Sequence, residues 1–126
     1  MKRPIIVKVS DVDGTKKDPP RVSRLLLSEK NVGAKNVSLG LNVTEVGSMI
    51  PDHKHEDSEE VMYIVSGRGR LVIEDGEEVH EVGPDTAIYS PKGVMHRLEN
   101  IGDTELKLVW AYAPPLPHHR LEESES

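Results

Sequence analysis

The sequence predicts an all-β chain, folded as one sandwich or barrel with little helix. Gly and Pro cut it into short β-rich runs at regular spacing, as in strands joined by tight turns. In the run from Val37 to Val46, Val37, Leu39, Leu41 and Val43 hold one parity and Ser38, Gly40, Asn42 and Thr44 the other. That is period 2, the mark of a strand with two unlike faces. No window sustains a 3.6-residue period, so helix is scarce. About nine short strands result, which suits a sandwich or barrel. A chain of 126 residues, 36 % of them hydrophobic, can bury one core and not two.

The elements follow in order. Pro4 leads into Ile5-Ile6-Val7-Lys8-Val9, a β run, and the polar stretch from Asp11 to Pro20 reads as a loop. Val22–Ser28 and Val37–Val46 are the next strands, followed by a loop over Gly47–Asp57. Val61–Val65 is a fresh strand, turned by Gly67-Arg68-Gly69 into Arg70–Glu74, and Asp75-Gly76 is a strong hairpin turn. Glu77–Val82, Thr86–Ser90, Met95–Glu99 and Glu105–Tyr112 complete the set. The expected organisation is a single domain over residues 1–113, then a Pro-rich strap and a disordered acidic tail over 114–126.

Composition excludes several classes of function. Without cysteine there are no disulfides, no thiolate catalysis and no Cys-based zinc or iron–sulfur site. The net charge of −6, with 16 basic against 22 acidic residues, argues against a nucleic-acid partner. No apolar run approaches the ~20 residues of a membrane span, and Lys8 interrupts the apolar start too soon for a signal peptide. The expected location is cytoplasmic, with no membrane partner. The chain also lacks Gln and is rich in Glu, Lys and Arg, a composition that leans towards a thermostable protein. No P-loop, GxGxxG or Ser-His-Asp pattern is present, so no organic cofactor is expected and no catalytic residue is assigned.

Histidine carries the chemistry. His53 and His55 stand at i, i+2, which in extended chain puts both imidazoles on one face, able to converge on one ion. Glu60 shares its parity with Met62 and Ile64, so its carboxylate points into an apolar interior, where a cation would relieve the cost of burial. His96 lies on a later strand, on the face of Leu98 and just beyond the Pro91-Lys92-Gly93 turn.

These residues carry a family resemblance. The pattern Gly47-x5-His53-x-His55-x4-Glu60-x6-Gly67 resembles the first cupin motif, and Pro91-x-Gly93-x2-His96-x3-Asn100 resembles the second half of the second. The second motif usually opens with Gly-Asp; here Asp85-Thr86 stand there, after Gly83-Pro84. The resemblance implies a cupin double-stranded β-helix, a jelly-roll barrel with a metal inside one end. It further implies that His53, His55, Glu60 and His96 hold one divalent transition metal per chain, Fe, Mn, Ni, Co or Zn. Glu59 competes with Glu60 for that role, since the family allows a shorter gap.

The resemblance also implies a homodimer, with residues 1–30 as candidates for strand exchange between subunits. It places ligands inside the barrel beside the metal, which makes Met49, Met62, Leu98 and Trp110 candidate pocket residues. Arg24 is the leading candidate to pair with a substrate carboxylate. His80 reads as an exposed strand residue, His118 and His119 as solvated tail residues, and core packing is the default for Tyr63, Tyr89, Trp110 and Tyr112. The expected function is that of a metal-dependent enzyme of dioxygenase, decarboxylase or isomerase type. Its substrate would be a small organic acid, an enol or diketone, or a sugar derivative. The alternative is a non-catalytic cupin that binds or senses its ligand at the metal. A Lys, Tyr or carboxylate within hydrogen-bond reach of a bound substrate would favour acid–base catalysis, whereas a wall of only Met62, Ile64, Leu98 and Trp110 would favour binding or O2-driven chemistry.

Overall fold

In the computed structural model, which describes residues 3–121, the chain forms two antiparallel sheets with almost no helix. Its strands are β1 (Thr15–Lys17), β2 (Arg21–Leu27), β3 (Ser38–Thr44), β4 (Met49–His53), β5 (Glu59–Ser66), β6 (Gly69–Ile73), β7 (Glu78–Val82), β8 (Thr86–Ser90), β9 (His96–Asn100) and β10 (Leu106–Ala113). One sheet runs β1-β2-β3-β10-β5-β8 and the other β4-β9-β6-β7. The expected all-β class and jelly-roll barrel are what the structure shows. A short helix, α1 (Glu29–Val32), is closed by a capping box in which Ser28 Oγ accepts from the Lys30 amide and Asn31 Oδ1 from the Ser28 amide.

The core lies between the sheets. Met62 and Ile64 of β5 and Leu106, Leu108 and Trp110 of β10 meet Leu71 and Leu98 of the smaller sheet. β5 alternates strictly, with Glu60, Met62 and Ile64 inward and Val61, Tyr63 and Val65 outward, so Glu60 has the inward parity expected of it. β3 is less obvious. Its polar file of Ser38, Gly40, Asn42 and Thr44 is the buried one, while Leu39 and Val43 of the apolar file are only half-buried. Gly40 sits opposite Trp110 in the ladder, and a Cβ there would overlap the indole ring. The large ring of β10 thus requires small residues on β3 and sends the branched ones to the outer face.

Several local expectations are corrected. Ile5–Val9 forms no strand: Ile6 is 87 % exposed, and Val9–Asp11 is a 3-10 turn. Its apolar residues find no partner strand among the described residues. The polar loop from Asp11 to Pro20 contains β1, which pairs with β2, and the loop from Gly47 to Asp57 contains β4, which pairs with β9. Both are short strands, Thr-Lys-Lys and Met-Ile-Pro-Asp-His, specified by the ladder they join rather than by an alternating pattern of their own. Tyr63 and Tyr89 are exposed, their hydroxyls donating to Asp85 and Glu59 at 2.6 Å.

Asp85, standing where the motif usually has glycine, takes φ 62°, a left-handed conformation that aspartate tolerates better than most residues. Its amide donates to the Ile64 carbonyl at 2.9 Å. Gly93, at φ 75°, donates its amide to the His55 carbonyl at 2.8 Å, tying the second motif to the histidine loop of the first. The expected disordered acidic tail falls on residues 122–126, which lie outside the described residues.

Candidate metal centre

His53 closes β4, Glu60 is the second residue of β5 and His96 opens β9, so three strands from both sheets deliver their side chains to one end of the barrel. His53 and His96 are direct partners in the β4–β9 ladder. Their Nε2 atoms lie 3.3 and 2.9 Å from the same oxygen, Oε1 of Glu60. Nitrogen and oxygen atoms of these three side chains all fall within 4.8 Å of one another. Glu60 is 5 % exposed and His96 3 %.

The outer ring nitrogens are held from behind. His53 Nδ1 lies 2.9 Å from the Pro51 carbonyl, and His96 Nδ1 lies 3.2 Å from the Val94 carbonyl and 3.1 Å from Ser90 Oγ. A carbonyl can only accept, so each Nδ1 carries a proton, and Nε2 is the nitrogen turned to the centre: it donates to Glu60 when it too is protonated and offers a lone pair when it is not. Both Nε2 atoms are therefore aimed into the centre, the outer support that metal-ligating histidines use. Two aligned imidazoles around a buried carboxylate fit a borderline transition metal.

His55, from the loop after β4, borders the same cavity. Its ring lies 5.3 Å from that of His53 and edge-on to Tyr112 at 5.0 Å, but its nitrogens fall outside the compact cluster. Glu59 faces outward and bonds Tyr89, away from the centre.

Charge explains how the centre is held. Burial opposes ionisation of Glu60, but hydrogen bonds from His53 and His96 outweigh it and hold its carboxyl down at about 2. Burial likewise works against a charged His53, yet the bond to Glu60 and the Pro51 carbonyl raise it overall. The signs give a pH dependence for the metal-free fold. The Glu60 contribution is present above its ordinary value and disappears as pH falls towards 2; that of His53 is present at low pH and lost as pH rises. Urea unfolding of chelator-treated protein at pH 6 and pH 3 should show Glu60→Gln losing less stability over that interval than wild type, by on the order of 2 kcal/mol. Equal losses would disprove the coupling.

The centre opens into a cavity of about 550 Å³ between the sheets. Among the expected pocket residues, Met62, Leu98 and Trp110 line it. Met49 and Arg24 do not: Arg24 lies on the outer face, where its Nε donates to the Val12 carbonyl at 3.2 Å. Arg21, on the other parity of β2, is the arginine that faces the cavity.

The expectation of a solvated His119 is also corrected; it is 5 % exposed. The strap folds back because Ser58 Oγ donates to the Pro114 carbonyl at 2.8 Å and Arg120 donates twice to the Pro115 carbonyl, at 2.9 and 2.6 Å. A 3-10 turn over Pro117–His119 then stacks His119 on Trp110, with ring centroids 5.2 Å apart, and its Nδ1 lies 2.9 Å from Ser38 Oγ. Burial, with the charges of His118, Lys30 and Lys17, pushes His119 down to about 4, so its ring is neutral near pH 7. His118 stays exposed at the mouth. Tyr112, buried on the inward face of β10, borders the cavity as well; burial and the Glu60 charge push its hydroxyl up. Tyr112 was legible from its shared parity with Leu108 and Trp110. Nothing local in the sequence marked His119.

Comparison with known proteins places these features in context. Residues 41–112 match the family model described as Cupin domain. The chain is 37 % identical over 106 residues to the uncharacterized protein MJ1618 of Methanocaldococcus jannaschii, covering 84 % of this chain and 82 % of that protein. It is 32 % identical over 115 residues to the protein named polyketide synthase CurC of Streptomyces cyaneus, covering 91 % and 73 % respectively. The solved structure of the polyketide cyclase RemF from Streptomyces resistomycificus superposes with a TM-score of 0.76 at 26 % identity, over 93 % of this chain and 82 % of that one.

Proposed function

This chain belongs to the cupin family, and on that premise we propose that it is a divalent-metal-dependent enzyme acting on a small oxygen-rich compound of the enol or diketone type. The observation that carries a catalytic reading is the cavity wall: beside His53, Glu60 and His96 it presents further ionisable groups, among them the buried Tyr112 and His119. A wall of Met62, Ile64, Leu98 and Trp110 alone would have favoured binding or O2-driven chemistry. Two relatives with polyketide names favour the enol or diketone over a sugar.

In this reading His53, His55, Glu60 and His96 hold the metal. Bound there, a divalent metal supplies Lewis-acid stabilisation of negative charge on a substrate oxygen. The chain's own groups handle protons. Tyr112 stays protonated at any working pH and can donate to a developing oxyanion. Neutral His119, oriented by Ser38 and clamped against Trp110, can accept a proton from the substrate. Met62, Leu98 and Leu108 exclude water around them.

We also propose a homodimer. The outer face of β5 exposes Val61, Tyr63 and Val65, and the N-terminal segment holds up Ile5 and Ile6 without a ladder partner. Both are candidate contacts with a second copy, the segment at 3–8 being what remains of the exchange region once β2 has paired with β3. One experiment tests metal and assembly together: elemental analysis across a size-exclusion peak with light-scattering mass. About one equivalent of Fe, Mn, Ni, Co or Zn per chain is expected, at about 28 kDa, twice the 14.0 kDa chain. A chain that takes up no added metal overturns the enzyme reading; a 14.0 kDa particle overturns the dimer. With metal bound, Tyr112→Phe and His119→Ala should slow turnover of benzoylacetone while leaving metal content unchanged.

A further inference from the structure

The net charge is −6, yet the mouth of the cavity is basic. Lys17 of β1, Arg21 of β2 and Lys30 of α1 all line it. Among the described residues, none of the three takes part in an ion pair, whereas Arg68, Arg70 and Arg97 all do. The carboxylates that border the cavity are already engaged: Glu60 with the two histidines, and Asp52 with Arg97 at 3.4 Å.

Ladder register sharpens the point. Lys17 is the direct cross-strand partner of Arg21, and residues opposite each other in a ladder project to the same face. Two cations placed so repel each other, a pairing that sheets ordinarily avoid. Arg21 uses Nη1 on the Pro19 carbonyl at 3.0 Å, which leaves most of its fork of donors for another partner, with Asp18 as the nearby acid. The next rung of the same face carries Thr15 opposite Ser23, and Ser23 opposite Asn42, all hydrogen-bonding side chains at the cavity wall. The field of this shelf reaches inward. Arg21 acts on His53, and Lys17 and Lys30 act on both strap histidines.

We propose that Lys17 and Arg21, with Lys30 beside them, form a carboxylate-binding subsite at the cavity mouth, so that the enol- or diketone-type ligand also carries a carboxylate. Its carboxylate rests between the two cross-strand cations, which removes their repulsion. Its other oxygens extend down the cavity towards His53, Glu60 and His96. This narrows the substrate class of the proposed enzyme and rests on that reading only for the inner end of the ligand.

Trp110 is the chain's single tryptophan and lines the cavity, so its fluorescence reports occupancy. The experiment titrates phthalate and its uncharged analogue phthalamide into wild type, Lys17→Gln and Arg21→Gln, each metal-free and metal-loaded, at low salt. Phthalate should bind metal-free wild type at least about tenfold more tightly than phthalamide, as hydrogen bonds between charged groups imply. Each substitution should remove most of that preference and leave phthalamide unchanged. Lys17 is exposed, so Lys17→Gln keeps the fold, and the ligand-free variant should melt no lower than wild type because a repulsion is gone. Equal affinity for the two probes, or phthalate binding untouched by both substitutions, overturns the subsite. Charge-selective binding in a chain that loads no metal would retain the subsite and remove the metal enzyme; metal loading without charge selection would do the reverse.

Discussion

Glu60→Gln should lower metal affinity by at least about 100-fold, and Glu59→Gln should leave it unchanged, as read by competition with a chromogenic chelator. The two neighbours differ only in the face they occupy. Glu60 is inward, buried, and within 3.3 and 2.9 Å of two imidazole nitrogens; Glu59 is exposed and bonds the Tyr89 hydroxyl. The amide keeps the shape but removes the anion, leaving only the imidazoles of the proposed set to hold a dication. The barrel core is separate from this cluster, so the fold should survive. His55→Ala probes the fourth position, and metal loss there without unfolding would join the loop histidine to the three clustered side chains. Equal metal loss from Glu59→Gln and Glu60→Gln would sink the ligand assignment.

Gly40→Val should cost about 1–3 kcal/mol or more, by the usual penalty for overpacking a closed core, and should shift Trp110 fluorescence to the red. Gly40 lies under the indole ring in the β3–β10 ladder, and any Cβ would overlap it. The ring can only swing into the cavity, where it is stacked on His119 and 5.2 Å from Tyr112. Loss of packing should therefore loosen the strap along with the barrel wall. Urea unfolding followed by circular dichroism gives the stability, and tryptic cleavage after Arg120 gives the strap. A variant with wild-type stability and an unmoved emission maximum would show that the close approach is not what keeps this position small.

Much of the centre was legible because it is local in kind even where it is distant in sequence. Strand parity aimed Glu60 with Met62 and Ile64, and the turn around Gly93 brought His96 in beside Leu98. Period and turn signals do not depend on the rest of the chain, so they survive being read one segment at a time. The same property marks their limit. Alternation in β3 separated two faces without saying which was buried, because that choice belonged to Trp110, which stands 70 residues away in sequence. β1 and β4 have no pattern of their own and exist through the strands they pair with. Ile5–Val9 has the pattern but no partner strand among the described residues.

Residue order alone was thus sufficient for the all-β class and for the parity that turns Glu60 inward, with the family resemblance adding the barrel and the ligand set. Contacts made over long separations decided the rest. Arg21 rather than Arg24 faces the cavity because ladder pairing sets the face of β2. His119 became a wall of the site because the strap's carbonyls found donors in Ser58 and Arg120. A cavity is bounded by residues from many segments at once, and its lining is a property of how they pack, whereas a strand's periodicity is a property of its own bonds.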